Sequence, residues 1–179
     1  SFRIGYTFLY TNWFGNFEKE IIENTNIEII WTFKAHHYKH NAKNWKRYNS
    51  EGGGVIRFFG IHLFPLLINF GFNEVVSSET SGANSNDLEK WTSVFKNQNG
   101  FECKLTVEKK KKKEVFLVKA ENRQNKIIDF ISPFETANDA IQNEDNRVVI
   151  LERLLKSLND ENQNSSMSSL YKNSNELGL

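Results

Sequence analysis

The chain has 179 residues, which is enough for one sizeable domain with its own core. Its 23 basic and 22 acidic residues give a net charge of +1, so no general attraction to nucleic acid or to an anionic membrane is expected. The single cysteine, Cys103, excludes an internal disulfide framework and a thiolate metal cluster, and it favours a reducing compartment. No apolar run reaches the roughly 20 residues that span a bilayer, and no signal-peptide pattern opens the chain. We therefore expect a soluble, cytoplasmic domain.

The first part of the chain predicts two strands around one helix. Apolar and polar residues alternate over residues 2–8, which indicates a strand that begins almost at the first residue. Such a start suggests a domain cut from a longer protein. A predicted turn over residues 10–14 leads to a helix that Asn16 can cap. Residues 27–37 alternate again and predict the second strand.

Three consecutive glycines at residues 52–54 interrupt the chain before an apolar segment of helical length, residues 55–72. Pro65 lies inside this segment, and proline costs about 3 kcal/mol in a helix interior. The sequence therefore predicts a helix with a kink or a break near Phe64.

The second half is rich in strands and ends in a helix. Strands are predicted over residues 74–79, 87–95, 101–107, 115–120 and 127–131. The third and fourth of these are separated by a short lysine-rich turn, which predicts an antiparallel hairpin. Helical spacing of Val148, Leu151, Leu155 and Leu158 predicts an amphipathic terminal helix.

This order of elements predicts an α+β fold, with helices packed on one face of a mostly antiparallel open sheet. We expect the domain to occupy residues 1–158. Residues 159–179 are rich in Asn and Ser, and they predict a polar terminal segment that is partly a loop.

The most informative segment is residues 44–62, which read NWKRYNSEGGGVIRFFGIH. It resembles the signature of the Gfo/Idh/MocA oxidoreductases, in which a Trp-containing stretch leads to Gly-Gly-Gly-x-x-x-Asp-x-Gly-x-His. Gly54, Gly60 and His62 match that pattern in register. The resemblance implies the sheet-containing C-terminal domain of such an enzyme, similar to that of glyceraldehyde-3-phosphate dehydrogenase. It also implies that His62 is an acid/base next to the reacting sugar carbon.

The residues themselves suit such a site. Glycines let the backbone turn sharply and approach a ligand closely, and a helix that starts after them would offer free N–H groups to a polar ligand. The sequence departs from the family pattern where Phe58 replaces the Asp and Pro65 replaces a second acid. No G-x-G-x-x-G turn for a dinucleotide occurs in these residues, so no Rossmann domain is expected in this chain.

Four further residues are candidate substrate contacts: Trp13, Trp45, Lys46 and Arg57. Trp45 and Lys46 precede the glycines and can line the same cleft, or they can belong to a solvated loop that Trp45 anchors. Arg57 can form an internal salt bridge or bind an anionic substituent. His62 can instead be a histidine satisfied within the core.

Two other features predict little chemistry. His36, His37 and His40 do not predict a metal site, because neighbouring strand residues point to opposite faces. The lysines at residues 109–113 suit a solvated hairpin tip better than a nucleic-acid site.

The first hypothesis is that the chain is the substrate-binding and oligomerisation domain of a NAD- or NADP-dependent oxidoreductase. Its partners would be an N-terminal Rossmann domain of the same protein, which holds the cofactor, and a sugar or nucleotide-sugar substrate. Further copies of the protein would bind through the open sheet face. Alone, these residues should oxidise nothing. The second hypothesis is a non-catalytic ligand-binding or assembly domain that has degenerated from that family.

Overall fold

The computed structural model of the chain describes residues 6–18, 25–109, 114–120, 127–130, 133–134 and 146–157. Within them, six strands form one sheet: Ile27–Phe33 (β1), Phe72–Gly82 (β2), Leu88–Asn97 (β3), Glu102–Lys109 (β4), Val115–Ala120 (β5) and Ile127–Phe130 (β6). The strands lie in the order β2-β3-β4-β1-β5-β6. Among these described strands, only β1 and β4 are parallel, so the sheet is mixed but mostly antiparallel, as predicted.

The central position of β1 shows that the predicted hairpin between residues 101–107 and 115–120 is wrong. Ile29 in β1 is in register with Leu105 of β4 on one side and with Val118 of β5 on the other. β4 and β5 therefore each pair with β1 and not with one another. An apolar strand such as β1 is best placed in the interior of a sheet, where both of its edges are paired.

The end of β4 and the start of β5 lie on either side of the end of β1, two strand spacings apart. Two strand spacings amount to about 10 Å, which a few extended residues can cover. At this point the backbone N–H of Lys34, just after β1, donates to Glu114 Oε1 at 3.0 Å. Residues 110–113, which carry most of the lysine-rich turn, lie outside the described residues.

The first described residues form a turn and not the end of the predicted strand. Thr7–Tyr10 is a 3-10 helix, so the prediction for residues 2–8 is wrong at its described end. Thr11 fixes this turn, because its hydroxyl donates to the carbonyl of Phe8 at 2.8 Å. Its Oγ1 also accepts from the N–H of Phe14 at 3.3 Å, in the manner of a helix N-cap.

One short helix precedes β1 in the sequence and another follows it. α1 spans Asn12–Glu18, so it begins before the predicted cap, Asn16. The second half of the predicted helix lies outside the described residues. α2 spans His36–Lys39, so the strand predicted to continue to residue 37 ends at Phe33.

The segment after the glycines is not one continuous helix. Val55–Phe59 forms a π-helical turn, Gly60–His62 forms a 3-10 turn, and Phe64–Asn69 forms α3. Pro65 lies in the first turn of α3, where its missing N–H leaves no hydrogen bond unmade. The break predicted near Phe64 is confirmed.

The helices and turns pack on one face of the sheet, as predicted. Alternate residues of β1, β3, β4 and β5, such as Ile29, Leu105 and Val118, are buried against them, whereas β2 is exposed after Phe72. The same core includes Phe8, Trp13, Phe14, Val55, Phe59, Leu63, Phe64, Leu66 and Leu67 from the helical layer. The opposite face, with Ile30 and Leu117, is half-buried.

The last described helix, α4, spans Asn146–Ser157 and packs by a different face from the predicted one. Ile150 is buried, whereas Val148, Leu151 and Leu155 are exposed. The predicted stripe is therefore amphipathic in spacing but faces away from the domain. On the inner face of α4, Arg153 Nη1 donates a hydrogen bond to the carbonyl of Tyr10 at 3.0 Å.

None of the helices in the described part of the chain is long and apolar enough to cross a membrane.

Candidate substrate-binding site

The glycine triplet builds a tight turn against the chain that precedes it. Gly52 and Gly54 have φ angles of +84° and +82°, which L side chains rarely adopt. A Cβ added to Gly53 would lie 2.0 Å from the carbonyl oxygen of Trp45. The N–H of Gly54 donates to the carbonyl of Lys46 at 2.9 Å. The close approach that the glycines permit is therefore to the Trp45–Lys46 backbone.

A buried ion pair fastens this loop to the start of β3. Arg47 Nε donates to Asp87 Oδ1 at 2.7 Å, and Nη2 donates to Oδ2 at 2.5 Å. Arg47 Nη1 also donates to Asn41 Oδ1 at 2.6 Å. The hydrogen bonding of Arg47 to the Asp87 carboxylate raises the pKa of Arg47. Because these bonds engage its guanidinium on several sides, Arg47 holds the loop in place.

Trp45 and Lys46 gather around Phe58. The Lys46 Nζ lies 5.4 Å from the centroid of the Phe58 ring and 6.0 Å from that of Trp45. The Trp45 and Phe58 rings meet edge to face at 6.0 Å. His37, which the sequence did not single out as a site residue, packs edge to face on Phe58 at 5.8 Å. We call these four side chains the Trp45 group.

His62 lies in a separate aromatic pocket. Its ring stacks on Phe8, with centroids 5.2 Å apart and an interplanar angle of 24°. Trp31 and Phe134 flank it at 6.3 and 6.1 Å. Its Nδ1 lies 3.3 Å from the Thr7 hydroxyl, and Nε2 has no hydrogen-bond partner among the described residues. Burial lowers the pKa of His62 to about 4, so the ring is neutral at pH 7.

The two clusters are neighbours but share no ring contact. Phe59 lies between them, because it packs on Phe58 at 5.0 Å and on Trp31 at 5.3 Å. Phe58 occupies the family's Asp position, yet its described ring contacts are to the Trp45 group and Phe59 and not to His62. The structure thus separates the predicted acid/base from the predicted substrate contacts by one layer of aromatic side chains.

The remaining predicted contacts have other partners. Arg57 is exposed, and its Nη1 donates to the carbonyl of Asn49 at 3.1 Å. Trp13 is buried in the core, where its Nε1 donates to the carbonyl of Pro133 at 2.9 Å. Its place in the core gives Trp13 a packing role.

Three residues of these clusters could not be recognised from the sequence. Thr7 and His37 fall in segments that the alternation assigns to strands, whereas both lie in helical turns. Phe134 is distant in sequence from His62, and no local pattern connects them. The rings of His36 and His40 lie 4.4 Å apart with their planes tilted by 41°, and the described residues contain no group of three potential metal ligands.

Comparison with known proteins gives structural neighbours only. No family model matches the chain, and no curated protein matches it. Among solved structures, it is similar to the WlbA (WbpB) dehydrogenase from Thermus thermophilus in complex with NAD and UDP-GlcNAcA. That match has a TM-score of 0.54 and 13% identity, and it covers 84% of this chain and 54% of the other.

Two further structures match in the same way. An oxidoreductase from Thermotoga maritima has a TM-score of 0.57 and 16% identity, with 89% of this chain and 52% of the other covered. A structure assigned as an oxidoreductase, from Erwinia carotovora atroseptica, has a TM-score of 0.55 and 12% identity, with 97% and 59% covered.

The three neighbours are described as a dehydrogenase and two oxidoreductases, and the chain spans a little over half the length of each. At these identities the likeness concerns the fold. The α+β fold expected from the resemblance of residues 44–62 is therefore the fold observed, and it is shared with part of each of these oxidoreductases.

Proposed function

We propose that the chain is the substrate-binding domain of an NAD- or NADP-dependent oxidoreductase that acts on a sugar or nucleotide-sugar. The observation that carries this proposal is His62, which stands in register with the glycine–histidine motif. Its Nδ1 is within reach of the Thr7 hydroxyl, and its Nε2 has no partner among the described residues. The WlbA neighbour, whose structure holds NAD and UDP-GlcNAcA, supports the same class of cofactor and substrate.

The cofactor would be held by an N-terminal Rossmann domain, because the sequence offers no glycine-rich turn for its phosphates. When bound there, NAD or NADP would supply the hydride acceptor. His62 would act on the other product of alcohol oxidation, the hydroxyl proton. If Nδ1–H donates to the Thr7 hydroxyl, the lone pair of Nε2 is left to accept that proton.

Burial of the His62 ring determines how it can act in proton transfer. With a pKa of about 4, His62 is available as a proton acceptor at pH 7 but holds the proton weakly. An acidic neighbour would stabilise the imidazolium, but Phe58 stands at the family's Asp position. This observation favours a second candidate function, a domain that binds its ligand and has lost turnover.

Full-length protein carrying His62→Ala distinguishes the two functions. We expect NAD(P)H formation with a panel of nucleotide-sugars to fall about 100-fold or more, because a positioned acid/base contributes that much. Ligand affinity by calorimetry should change little. His40→Ala, which removes an exposed histidine outside both clusters, is the matched control. Turnover that survives His62→Ala would contradict the acid/base role, and binding without turnover in the wild type would favour the non-catalytic function.

We also propose that copies of the protein associate through the open face of the sheet. That face carries half-buried apolar and β-branched side chains, among them Ile30, Val94, Thr106 and Leu117. Replacing Leu117 by Lys should shift the sedimentation coefficient toward that of a monomer, since a charge in the centre of an interface is costly. An unchanged coefficient, or a wild type that is already monomeric, would contradict this proposal.

A further inference from the structure

The stretch that holds the Trp45 group is strongly cationic. Residues 29–50 contain no Asp or Glu, but they contain Lys34, Lys39, Lys43, Lys46 and Arg47. Arg47 is neutralised by Asp87. None of the four lysines forms an ion pair with a described residue. Two glutamates of the described structure have other partners: Glu114 accepts from the backbone N–H of Lys34, and Glu89 pairs with Lys109. Although the whole chain is nearly neutral, this surface carries unbalanced positive charge.

Trp45 is the one tryptophan that the fold leaves in solvent. It is 52% exposed, whereas Trp13, Trp31 and Trp91 are 3%, 5% and 2% exposed. A large flat ring beside a cation is a surface on which a planar ligand group can stack. The sheet and helices do not use this ring for packing in the core, so its position is better explained by recognition.

His37 supplies a polar group that lacks a partner. The residue is only 7% exposed, and its Nε2 is the buried side-chain polar atom without a hydrogen bond among the described residues. An unsatisfied buried donor or acceptor is uncommon and unfavourable. Burial lowers the pKa of His37, and the positive charges of the neighbouring Lys46, Arg47 and His36 lower it further. A negative oxygen at this point would satisfy Nε2 and offset the repulsion.

We propose that Trp45, Lys46 and His37 recognise the nucleoside diphosphate part of the substrate. The base stacks on the exposed indole of Trp45. Phosphoryl oxygens accept from Lys46 Nζ and from His37 Nε2–H, and the side chains of both residues contact the Phe58 ring. This assignment rests on the proposed function for the substrate class, and it narrows that class to nucleotide-sugars. It also places the nucleotide one aromatic layer away from His62, on the far side of Phe59.

Nucleotide binding requires side chains to move. His37 Nε2 is enclosed in the free domain, so a phosphoryl oxygen reaches it only after a neighbouring side chain swings aside. Trp45 is more than half exposed, and Lys46 is held by cation–π contacts, with no side-chain hydrogen bond to a described residue. These two side chains can be displaced without breaking a hydrogen bond within the described structure.

The full chain can be tested by titration with UDP, ADP, uridine, adenosine and inorganic pyrophosphate, followed by tryptophan fluorescence and calorimetry. At least one nucleoside diphosphate should bind about tenfold or more tightly than its own nucleoside and than pyrophosphate. The fluorescence change should disappear in Trp45→Phe, because the other three tryptophans are buried. Equal affinity for pyrophosphate would show an anion site alone and overturn the proposal, as would no binding at millimolar concentration.

Matched variants separate this site from a diffuse charge effect. Lys46→Met should weaken nucleotide binding about tenfold or more, whereas Lys43→Met, the same change on an exposed lysine outside the Trp45 group, should alter it less than about twofold. Equal losses in the two variants would overturn the proposal. His37→Leu should weaken binding, and His37→Gln, whose amide can donate near the position of Nε2, should retain most of it.

Two controls distinguish a loss of nucleotide binding from a loss of folding or of hydride transfer. If His37→Leu does not fold by circular dichroism, the Lys46 and Trp45 variants decide the question. His62→Ala should leave the nucleotide affinity unchanged, because His62 lies in the other pocket. Nucleotide binding with no hydride transfer would therefore contradict the proposed oxidoreductase and not this site, whereas hydride transfer without nucleotide binding would contradict this site alone.

Discussion

Asp87→Asn is expected to destabilise the domain by about 3–5 kcal/mol, because it leaves the Arg47 guanidinium buried without its counter-charge. Both side chains are shielded, with relative exposures of 10% for Arg47 and 7% for Asp87. The carboxylate accepts two guanidinium hydrogen bonds, and an amide cannot accept both with the same strength. Urea unfolding followed by circular dichroism measures the free energy of unfolding.

A matched control is the exposed pair of Lys119 and Glu28, whose ions are 2.9 Å apart and whose side chains are 41% and 42% exposed. Glu28→Gln makes the same chemical change there and should cost less than about 1 kcal/mol, because solvent screens the pair. The double variant Arg47→Met, Asp87→Leu should recover most of the lost stability. Equal costs for Asp87→Asn and Glu28→Gln would contradict the buried role.

The same ion pair is where fold and proposed site meet. Arg47 directly follows Lys46, and Asp87 directly precedes β3, so breaking the pair releases the loop from the sheet. Nucleotide affinity in Asp87→Asn should therefore fall under conditions in which the domain is still folded. A loop that kept its affinity without the ion pair would show that the glycine turn alone positions Trp45 and Lys46.

The strands were predictable because half-buried strands leave a two-residue alternation in the sequence. Their pairing was not. A short polar connection between β4 and β5 is typical of a hairpin, and only the fold shows that β1 takes the place between them. With β1 between them, β4 and β5 each pair with a buried strand. These contacts join residues that are distant in sequence, so no local pattern predicts them.

The candidate site divides in the same way. The glycine triplet was enough to predict a sharp turn, because the positive φ angles at Gly52 and Gly54 favour glycine; the role of His62 stays a prediction. The separation of His62 from Trp45 was not predictable, since it depends on a π-helical turn at Val55–Phe59 that displaces the helical register. α4 shows the reverse case. The apolar stripe that includes Leu151 has regular helical spacing, but the contacts of Ile150 and Arg153 determine which face of α4 packs on the domain.

The stability of the domain should fall as the pH drops from 7 toward 4, and His62 should be a principal cause. Its pKa is about 4 in the folded state and near 6.5 when unfolded. The unfolded chain therefore takes up the proton first, and the stability held above pH 6.5 is lost as the pH falls toward 4. One group shifted this far costs about 2–3 kcal/mol by pH 4.5.

His62→Phe isolates this contribution, because phenylalanine preserves the stacking on Phe8 and cannot be protonated. The difference in unfolding free energy between wild type and variant, measured by urea titration from pH 7.5 to 4.5, should move by about 2–3 kcal/mol in favour of the variant. Taking the difference at each pH cancels the carboxylates and any constant offset, and His37, whose pKa is also lowered, remains in both proteins. A flat difference for His62→Phe would mean that burial does not lower the pKa of His62, and its proposed role as a desolvated proton acceptor in the aromatic pocket would then be wrong.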